Sequence, residues 1–505
     1  MPRRSLGRAS LVLLGSTWIH SGLSLLISVL IGRVLGPAVV GELALNLGLA
    51  GVVMAALLPG FTQAHLKRLA EGQDAGRCVG TMATLQLALT AALAVVVVLA
   101  WRTGTLAGMS ADTTVLVAML GAQVGGRLAD VFLKVFIARE WVVLHGALLL
   151  GARVARLAAT GAVLVLVPRV SWVALTFLLE SVLTCAAAAI VLLALGIRPR
   201  RPTRASVADY WRYARPFLVT TPLGLVQDSI DRVLVGRWAG LTAAGYYHVA
   251  RGLWEALAGV MAPPGLLLFT RLSSLYADRS PERDETARRL FFSGLDKLLF
   301  VATALAIAFW ALAEPMLALL YGPSFVPATT PLRILVVAAL AATVVNPYTF
   351  VLQAQDEVGR FVPLNIGRFV LYLGALAALV AGLIPGLPAG AAGAALARLL
   401  LIVFPAWVWI GWTRELAGIP FYRPATVYLA GFALAIGAFH VAAPLAGRLA
   451  EPPIVADVVA AVAAFAVYAL WLLKRHPDTR ANLAYAVGLL APTTGRRLSQ
   501  VRPRS

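Results

Sequence analysis

Gly32-Arg33-Val34-Leu35-Gly36, followed by Gly41, returns as Gly236-Arg237-Trp238-Ala239-Gly240, followed by Gly245. The shared pattern, GRxxGxxxxG repeated after about 200 residues, stands each time between two long apolar runs. A helix-joining element written twice predicts two homologous helical lobes in one membrane chain, the architecture of a carrier with a central site.

The rest of the chain agrees with that reading. Of its 505 residues 60% are hydrophobic and only 13% charged, with a mean hydropathy of +0.84, whereas soluble domains run near half apolar and a quarter charged. About 20 apolar residues cross a bilayer as a helix, and unpaired backbone groups are not tolerated in hydrocarbon. Fourteen segments qualify: 11–35, 41–64, 80–101, 113–138, 141–168, 171–196, 216–236, 242–270, 294–313, 331–354, 358–384, 388–412, 424–445 and 453–473. The predicted fold class is therefore all-α, a polytopic integral membrane protein of about 14 transmembrane helices, in two pseudo-symmetric six-helix lobes plus two C-terminal helices. Its divisions are a first lobe at 1–196, a basic linker at 197–215, a second lobe at 216–413, a helix pair at 414–473 and a basic tail at 474–505. Arg3-Arg4 precedes a run too long for a signal peptide, so that run reads as the first retained helix.

Lys and Arg alternate between loops. Clusters at Lys67-Arg68, Arg198 to Arg215, Arg271 to Lys297, and Lys474 onward face loops that carry roughly one basic residue each, such as Arg102, Arg169, Arg333 and Arg448. The positive-inside rule places the rich set, and both termini, in the cytoplasm. This topology accounts for the net charge of +20, which is spread over short loops with no domain to present it to nucleic acid. The linker, with Tyr210, Trp211 and Tyr213 among its arginines, reads either as a helix on an anionic inner leaflet or as a plain positive-inside connection.

Cys78 and Cys185 make no disulfide framework, and His20, His65, His145, His248 and His440 have no ligand spacing. No phosphate loop, nucleophile elbow or HExxH occurs, so neither a metal, a cofactor nor catalytic residues are expected.

The informative side chains are the charges inside the spans, each of which costs about 2.5 to 3.5 kcal/mol at the bilayer centre unless paired or facing a polar cavity. They are Arg127 and Asp130, Arg153 and Arg156, Asp228, Asp231 and Arg232, Arg251 and Glu255, Arg368, and Arg398. Asp228 with Arg232, and Arg251 with Glu255, have the i,i+4 spacing of pairs on one helix face. Arg153 and Arg156 have no acid on their own helix, and Arg368 is the lone charge at depth in its span, Arg360 standing at its end. Arg127, Arg153, Arg156, Arg251 and Arg368 are thus candidates to line a cavity for an anionic, phosphate-bearing cargo, because the guanidinium fork matches phosphate oxygens. Asp228, about 18 Å into its span, Asp231 and Arg232 are candidates for coupling or switching. Gly32, Gly36, Gly236 and Gly240, in the repeated motif with Arg33, Arg237, Gly41 and Gly245, serve either close packing and bending or ordinary helix-end turns.

These residues together resemble the polysaccharide and lipid-linked oligosaccharide flippases (Wzx type) of the MATE-like exporter superfamily. The likeness covers about residues 8 to 415. It rests on Leu30 to Pro37 with Gly41, Tyr213-Ala214-Arg215-Pro216, the stretch from Asp231 to Gly236, Ala244 to Tyr247, Glu314 to Gly322, and the small-residue run Gly390 to Leu399. The resemblance implies two six-helix lobes around a hydrophilic cavity, and alternating access that carries an undecaprenyl-type lipid-linked glycan across a bacterial inner membrane. It also implies partnership with a glycan polymerase or glycosyltransferases, while anionic membrane lipids are the partner that the basic linker suggests. A cation-coupled multidrug antiporter is the first alternative, but acids would then dominate the cavity, and the first span holds no acid, with His20 its only ionisable group apart from Arg33 of the repeated motif. A membrane-embedded polymerase or glycosyltransferase is the second, and needs a larger outer loop than the chain offers.

Overall fold

The computed structural model describes residues 4–55, 60–104, 112–215, 217–276, 280–355, 360–448, 453–476 and 479, and all regular structure among them is helical. In chain order the helices are α1 (Arg4–Ala55), α2 (Gly60–Ala70), α3 (Ala75–Arg102), α4 (Thr113–Ala138), α5 (Val142–Leu166), α6 (Val170–Ala194), α7 (Arg204–Ala214), α8 (Phe217–Gln227) and α9 (Ile230–Leu234). They continue as α10 (Leu241–Tyr276), α11 (Pro281–Ala311), α12 (Ala313–Tyr321), α13 (Thr329–Ala354), α14 (Phe361–Val380), α15 (Gly390–Val403), α16 (Ala406–Ala417), α17 (Ala425–Ala446) and α18 (Pro453–Arg475). Of the basic tail, residues 477–478 and 480–505 lie outside the described residues, as do Arg3 and the Asp278-Arg279 step.

Among the described residues, eleven apolar helical stretches are long enough to cross a membrane. The first, Trp18–Ala55, has 38 residues and a helical length of about 57 Å, nearly twice a hydrocarbon core of about 30 Å. It is broken at Gly36, whose φ of 78° and ψ of 178° lie in a region open essentially only to glycine. Helix α1 therefore holds two crossings, one on each side of Gly36. Residues 217–239 offer another, interrupted candidate and α10 with its 36 residues a further one, which makes fourteen candidate crossings among the described residues, the number read from the sequence.

The second copy of the motif repeats the geometry of the first. Gly240 has φ 91° and ψ 165° and separates a π-helical turn, Val235–Ala239, from α10. Gly32 and Gly236 are buried while Arg33 and Arg237 are exposed. The two copies also touch. A Cβ on Gly41 would overlap the carbonyl oxygen of Leu241 and come within 2.8 Å of the Gly245 nitrogen, and a Cβ on Gly245 would overlap the carbonyl oxygen of Pro37 and come within 3.2 Å of the Gly41 nitrogen. This reciprocal backbone-to-backbone crossing requires a residue without a side chain at both positions.

Packing divides the chain into two units. The first comprises Met1–Gly259, Ala313–Ala338 and Val358–Pro405. In it the linker helix α7 is tied to α2 and α3: Arg68 pairs with Asp209 at 2.7 Å, Arg200 with Asp74 at 2.8 Å, and the Thr81 and Ser206 hydroxyls meet at 2.9 Å. Trp211, Arg204, Arg212 and Arg215 face outward. The second unit comprises Val260–Leu312, Ala339–Glu357 and Ala406–Ser505. There α11 packs on α17 and α18 around a buried carboxylate, Asp296, which accepts from the Tyr422 and Tyr428 hydroxyls (2.7 and 2.9 Å) and lies 2.9 Å from His476 Nε2.

The α2–α7 junction has a pH signature. His65, fully buried on the short helix α2, donates from Nε2 to the Val131 carbonyl (2.9 Å) and accepts from the Tyr210 hydroxyl at Nδ1 (3.0 Å). Burial, reinforced by the charge of Lys134 and opposed by the Val131 hydrogen bond, pushes its pKa down to about 4. The neutral ring is the one that fits, so its contribution is intact above the unfolded value of about 6.5. It falls by about 3 kcal/mol as pH drops from there to about 4, because the unfolded chain takes up the proton first. In detergent, the melting-temperature advantage of the wild type over His65→Gln should shrink steadily across that window. A gap independent of pH would contradict this.

Candidate functional site

The site begins where the seventh crossing loses its helix. α8 carries Pro222 and stops at Gln227, Asp228 and Ser229 form a turn, and α9 resumes at Ile230 before widening into the π turn. Discontinuous helices of this kind place polar groups at membrane depth. The break sends two acids three residues apart into opposite surroundings. Asp231 has no exposed surface, while the Asp228 side chain is 59% exposed.

Asp231 is the hub of a cross-helix network. Its Oδ2 accepts from the Tyr247 hydroxyl (2.7 Å), Arg251 Nη1 (2.8 Å), Arg398 Nη2 (3.1 Å) and the Tyr372 hydroxyl (3.4 Å). Its Oδ1 accepts from Arg251 Nη1 (2.9 Å) and from the Arg232 backbone N–H (2.8 Å). Arg251 also donates to Glu255 (2.8 Å) and to the Asp228 carbonyl (2.8 Å). Arg398 lies against Trp254, 5.3 Å from the ring centre. A buried carboxylate so completely surrounded is charged and satisfied, as buried ions must be.

The expected Asp228–Arg232 pair does not form. The four-residue rule presumes an unbroken helix, and the turn at 228–229 removes it. Arg232 instead faces Glu255 at 3.9 Å, and Asp228 faces Arg398 at 3.3 Å and Arg251 at 3.7 Å. Arg251 and Glu255, on continuous helix, pair as their spacing requires. Arg368, on α14, has no acid within ion-pair distance among the described residues, and its Nε is buried with no hydrogen-bond partner. Four arginines, 232, 251, 368 and 398, thus meet three acids, 228, 231 and 255.

A second basic group lies in the same unit. Arg153 and Arg156, expected without an acid, share one from the neighbouring helix: Glu180 of α6 lies 3.0 Å from each. The sequence signal was available, an acid in the middle of an apolar span, but nothing in local spacing tied it to α5. Arg153 also donates from Nη2 to His20 Nε2 (2.6 Å), which places the imidazole proton on Nδ1. Arg156 stacks on Phe177 at 3.4 Å. Both arginines line a cavity of about 170 Å³ with Ser24, Ser28, Phe177 and His248 and an apolar wall that includes Ile27, Val40 and Leu47. His248 stands on α10 three residues before Arg251, one turn from the Asp231 network. Arg127 sits half-buried on α4, near the Asp130–Lys134 pair (3.5 Å) on that helix, and is not among the side chains that line the cavity. Among the described residues no group of histidine, cysteine and acid side chains is arranged to hold a metal.

Comparison with known proteins adds a family to this geometry. Residues 6–275, more than half of the chain, match the family model described as polysaccharide biosynthesis protein. The chain belongs to the polysaccharide biosynthesis protein family. A search of curated proteins finds no match to the sequence. Among solved structures, the lipid II flippase MurJ in an inward closed conformation superposes with a TM-score of 0.73 at 11% identity, covering 95% of this chain and 100% of that one. A multidrug resistance MATE family transporter of the MOP superfamily, inward-facing, superposes at 0.56 with 17% identity over 79% of this chain and 94% of that one. Its outward-facing counterpart gives 0.53 and 15% over 83% and 96%. At these identities the likeness establishes the fold, that of the MurJ and MATE transporters. In this polysaccharide biosynthesis protein, Arg398, Tyr247 and Tyr372 complete the network around Asp231, and only the assembled helices reveal their part in it.

Proposed function

We propose that this member of the polysaccharide biosynthesis protein family is a flippase, a transporter without catalytic residues, that carries an undecaprenyl-type lipid-linked oligosaccharide from the cytoplasmic to the outer leaflet by alternating access. Lobes at 1–196 and 216–413 enclose the path, the helix pair 414–473 follows them, and both termini lie in the cytoplasm of a bacterial cell. Anionic lipids of the inner leaflet meet the basic linker, and a glycan polymerase or glycosyltransferases act beside the transporter. The observation that carries the reading is the surplus of guanidinium in the first unit. Three acids leave one of four arginines uncompensated around Asp231, and Glu180 leaves one of two uncompensated in the Ser24–Arg156 cavity. A diphosphate-linked glycan supplies the missing negative charge in the geometry that guanidinium favours. Organic cations, the cargo of the rival antiporter reading, would meet net repulsion.

The test is complementation of a flippase-deficient strain. Arg153→Gln, Arg156→Gln and Arg368→Gln should each lower surface-glycan output by about tenfold or more, the equivalent of losing about 1.4 kcal/mol of binding. Membrane protein levels should hold, since each change leaves every acid with a partner. Full output from all three variants would overturn the anionic-cargo reading.

A further inference from the structure

We infer that Asp228 is a resident anion: in the empty transporter its carboxylate holds the seat that the cargo's diphosphate takes, and binding displaces it. The inference rests on the anionic-cargo reading above and adds a selectivity device to it.

Asp228 and Asp231 share a cluster but differ in every respect that decides whether a ligand can replace them. Asp231 is fully buried and held by two guanidinium groups, two tyrosine hydroxyls and a backbone N–H. An entering anion would have to break all of these. Asp228 is 59% exposed, and it reaches Arg398 and Arg251 through Oδ1 alone, at 3.3 and 3.7 Å. Those distances exceed the roughly 2.7 to 2.9 Å of a good charge-assisted hydrogen bond. It also stands on the turn between α8 and α9, so its side chain can swing away without unwinding a helix.

The groups around it still have donors to offer. The Nε atoms of Arg398 and Arg368 are buried without hydrogen-bond partners, and Arg368, whose charge interacts with those of Asp228 and Arg398, has no acid in ion-pair distance among the described residues. Two guanidinium groups therefore face one exposed, loosely held carboxylate at 3.3 and 3.7 Å, with Arg368 within electrostatic reach of it.

A tethered carboxylate competes at an effective concentration on the order of millimolar or higher. A singly charged anion from solution gains too little to displace it. A diphosphate brings more charge and several oxygens that bind guanidinium forks in pairs, so it wins the exchange. Asp228 thereby sets the affinity that an anion must exceed, a threshold that a diphosphate clears and a singly charged anion does not, and keeps the unloaded arginines from repelling one another.

The experiment measures binding of inorganic pyrophosphate and of inorganic phosphate to the purified full-length protein by titration calorimetry. Wild type should prefer pyrophosphate. Asp228→Asn should bind both anions about tenfold tighter, since a tethered carboxylate that competes for the seat lowers the apparent affinity of each ligand by the same factor. Asp228→Glu, which keeps the tethered charge, should bind both anions as the wild type does, and Arg368→Gln should weaken both ligands. Unchanged or weaker pyrophosphate binding in a folded Asp228→Asn protein, with Arg368→Gln still harmful, would overturn the resident-anion role and leave the anionic cavity standing. An Asp228→Glu protein that behaves like Asp228→Asn would overturn it as well. Failure of every variant, Asp228→Asn included, to bind either anion would overturn both readings.

Discussion

Replacing Asp231 by asparagine should destabilise the protein more than any other single change in the basic cluster, by about 3 to 5 kcal/mol, the usual consequence of removing one partner from a buried ion pair. The amide keeps an oxygen for the Tyr247 hydroxyl but withdraws the charge that Arg251 and Arg398 share at 2.8 and 3.1 Å. Two guanidinium groups with side chains 5% and 6% exposed then lack their buried counter-ion, and exposed Asp228 compensates them poorly. The expected result is a sharp loss of monodisperse protein in detergent and a lower melting temperature. Asp231→Asn combined with Arg398→Gln should recover part of the loss, because the second change removes one of the stranded charges and the two sites are coupled. A single variant as stable as the wild type would show that the network is not what holds these helices together.

The second large effect belongs to the repeated motif. Alanine at Gly245 or Gly41 inserts a methyl group where backbone oxygen of the opposing copy already lies. Neither a rotamer change nor a flexible neighbour relieves the overlap, so the two crossings must separate. We expect a cost of at least the 1 to 3 kcal/mol typical of overpacking and loss of complementation, with double replacement no worse than additive. Gly252→Ala is the control. That glycine is exposed, has nothing within 4 Å of the added Cβ, and sits on helix α10, where alanine is neutral or mildly stabilising. Full transport by Gly245→Ala would remove the crossing from the account.

The contrast between these two predictions shows what the chain discloses by itself. The duplicated glycine pattern was visible in the sequence because each copy is local, ten residues long, and its backbone demands leave a residue-type signature. The crossings were visible because apolar length alone decides them. The Asp231 network was not, since its members come from Ile230–Leu234, α10, α14 and α15, and no spacing rule joins side chains across separate helices. Asp228 and Arg232 misled for a related reason. Their i,i+4 spacing is meaningful only on continuous helix, and Pro222 together with the turn at Ser229 interrupts it at the one place that matters. Glu180 is an acid in an apolar run that no local spacing ties to another residue, so the sequence reading passed over it, and its two partners on α5 became evident once α5 and α6 packed together. Arg368, like Arg153 and Arg156, has no acid on its own helix, but it alone of the three has no ion-pair partner among the described residues, whereas the other two share Glu180 of the neighbouring helix, so the absence of a local acid does not by itself decide pairing.

The most direct test of the central claim is transport by the purified protein in sealed proteoliposomes, with a fluorescent undecaprenyl-diphosphate oligosaccharide in one leaflet and an impermeant quencher outside. Wild-type protein should translocate this substrate, Arg153→Gln, Arg156→Gln and Arg368→Gln together should abolish translocation, and a fluorescent organic cation should not be moved. Movement of the cation, or undiminished glycan translocation by the triple variant, would contradict the account.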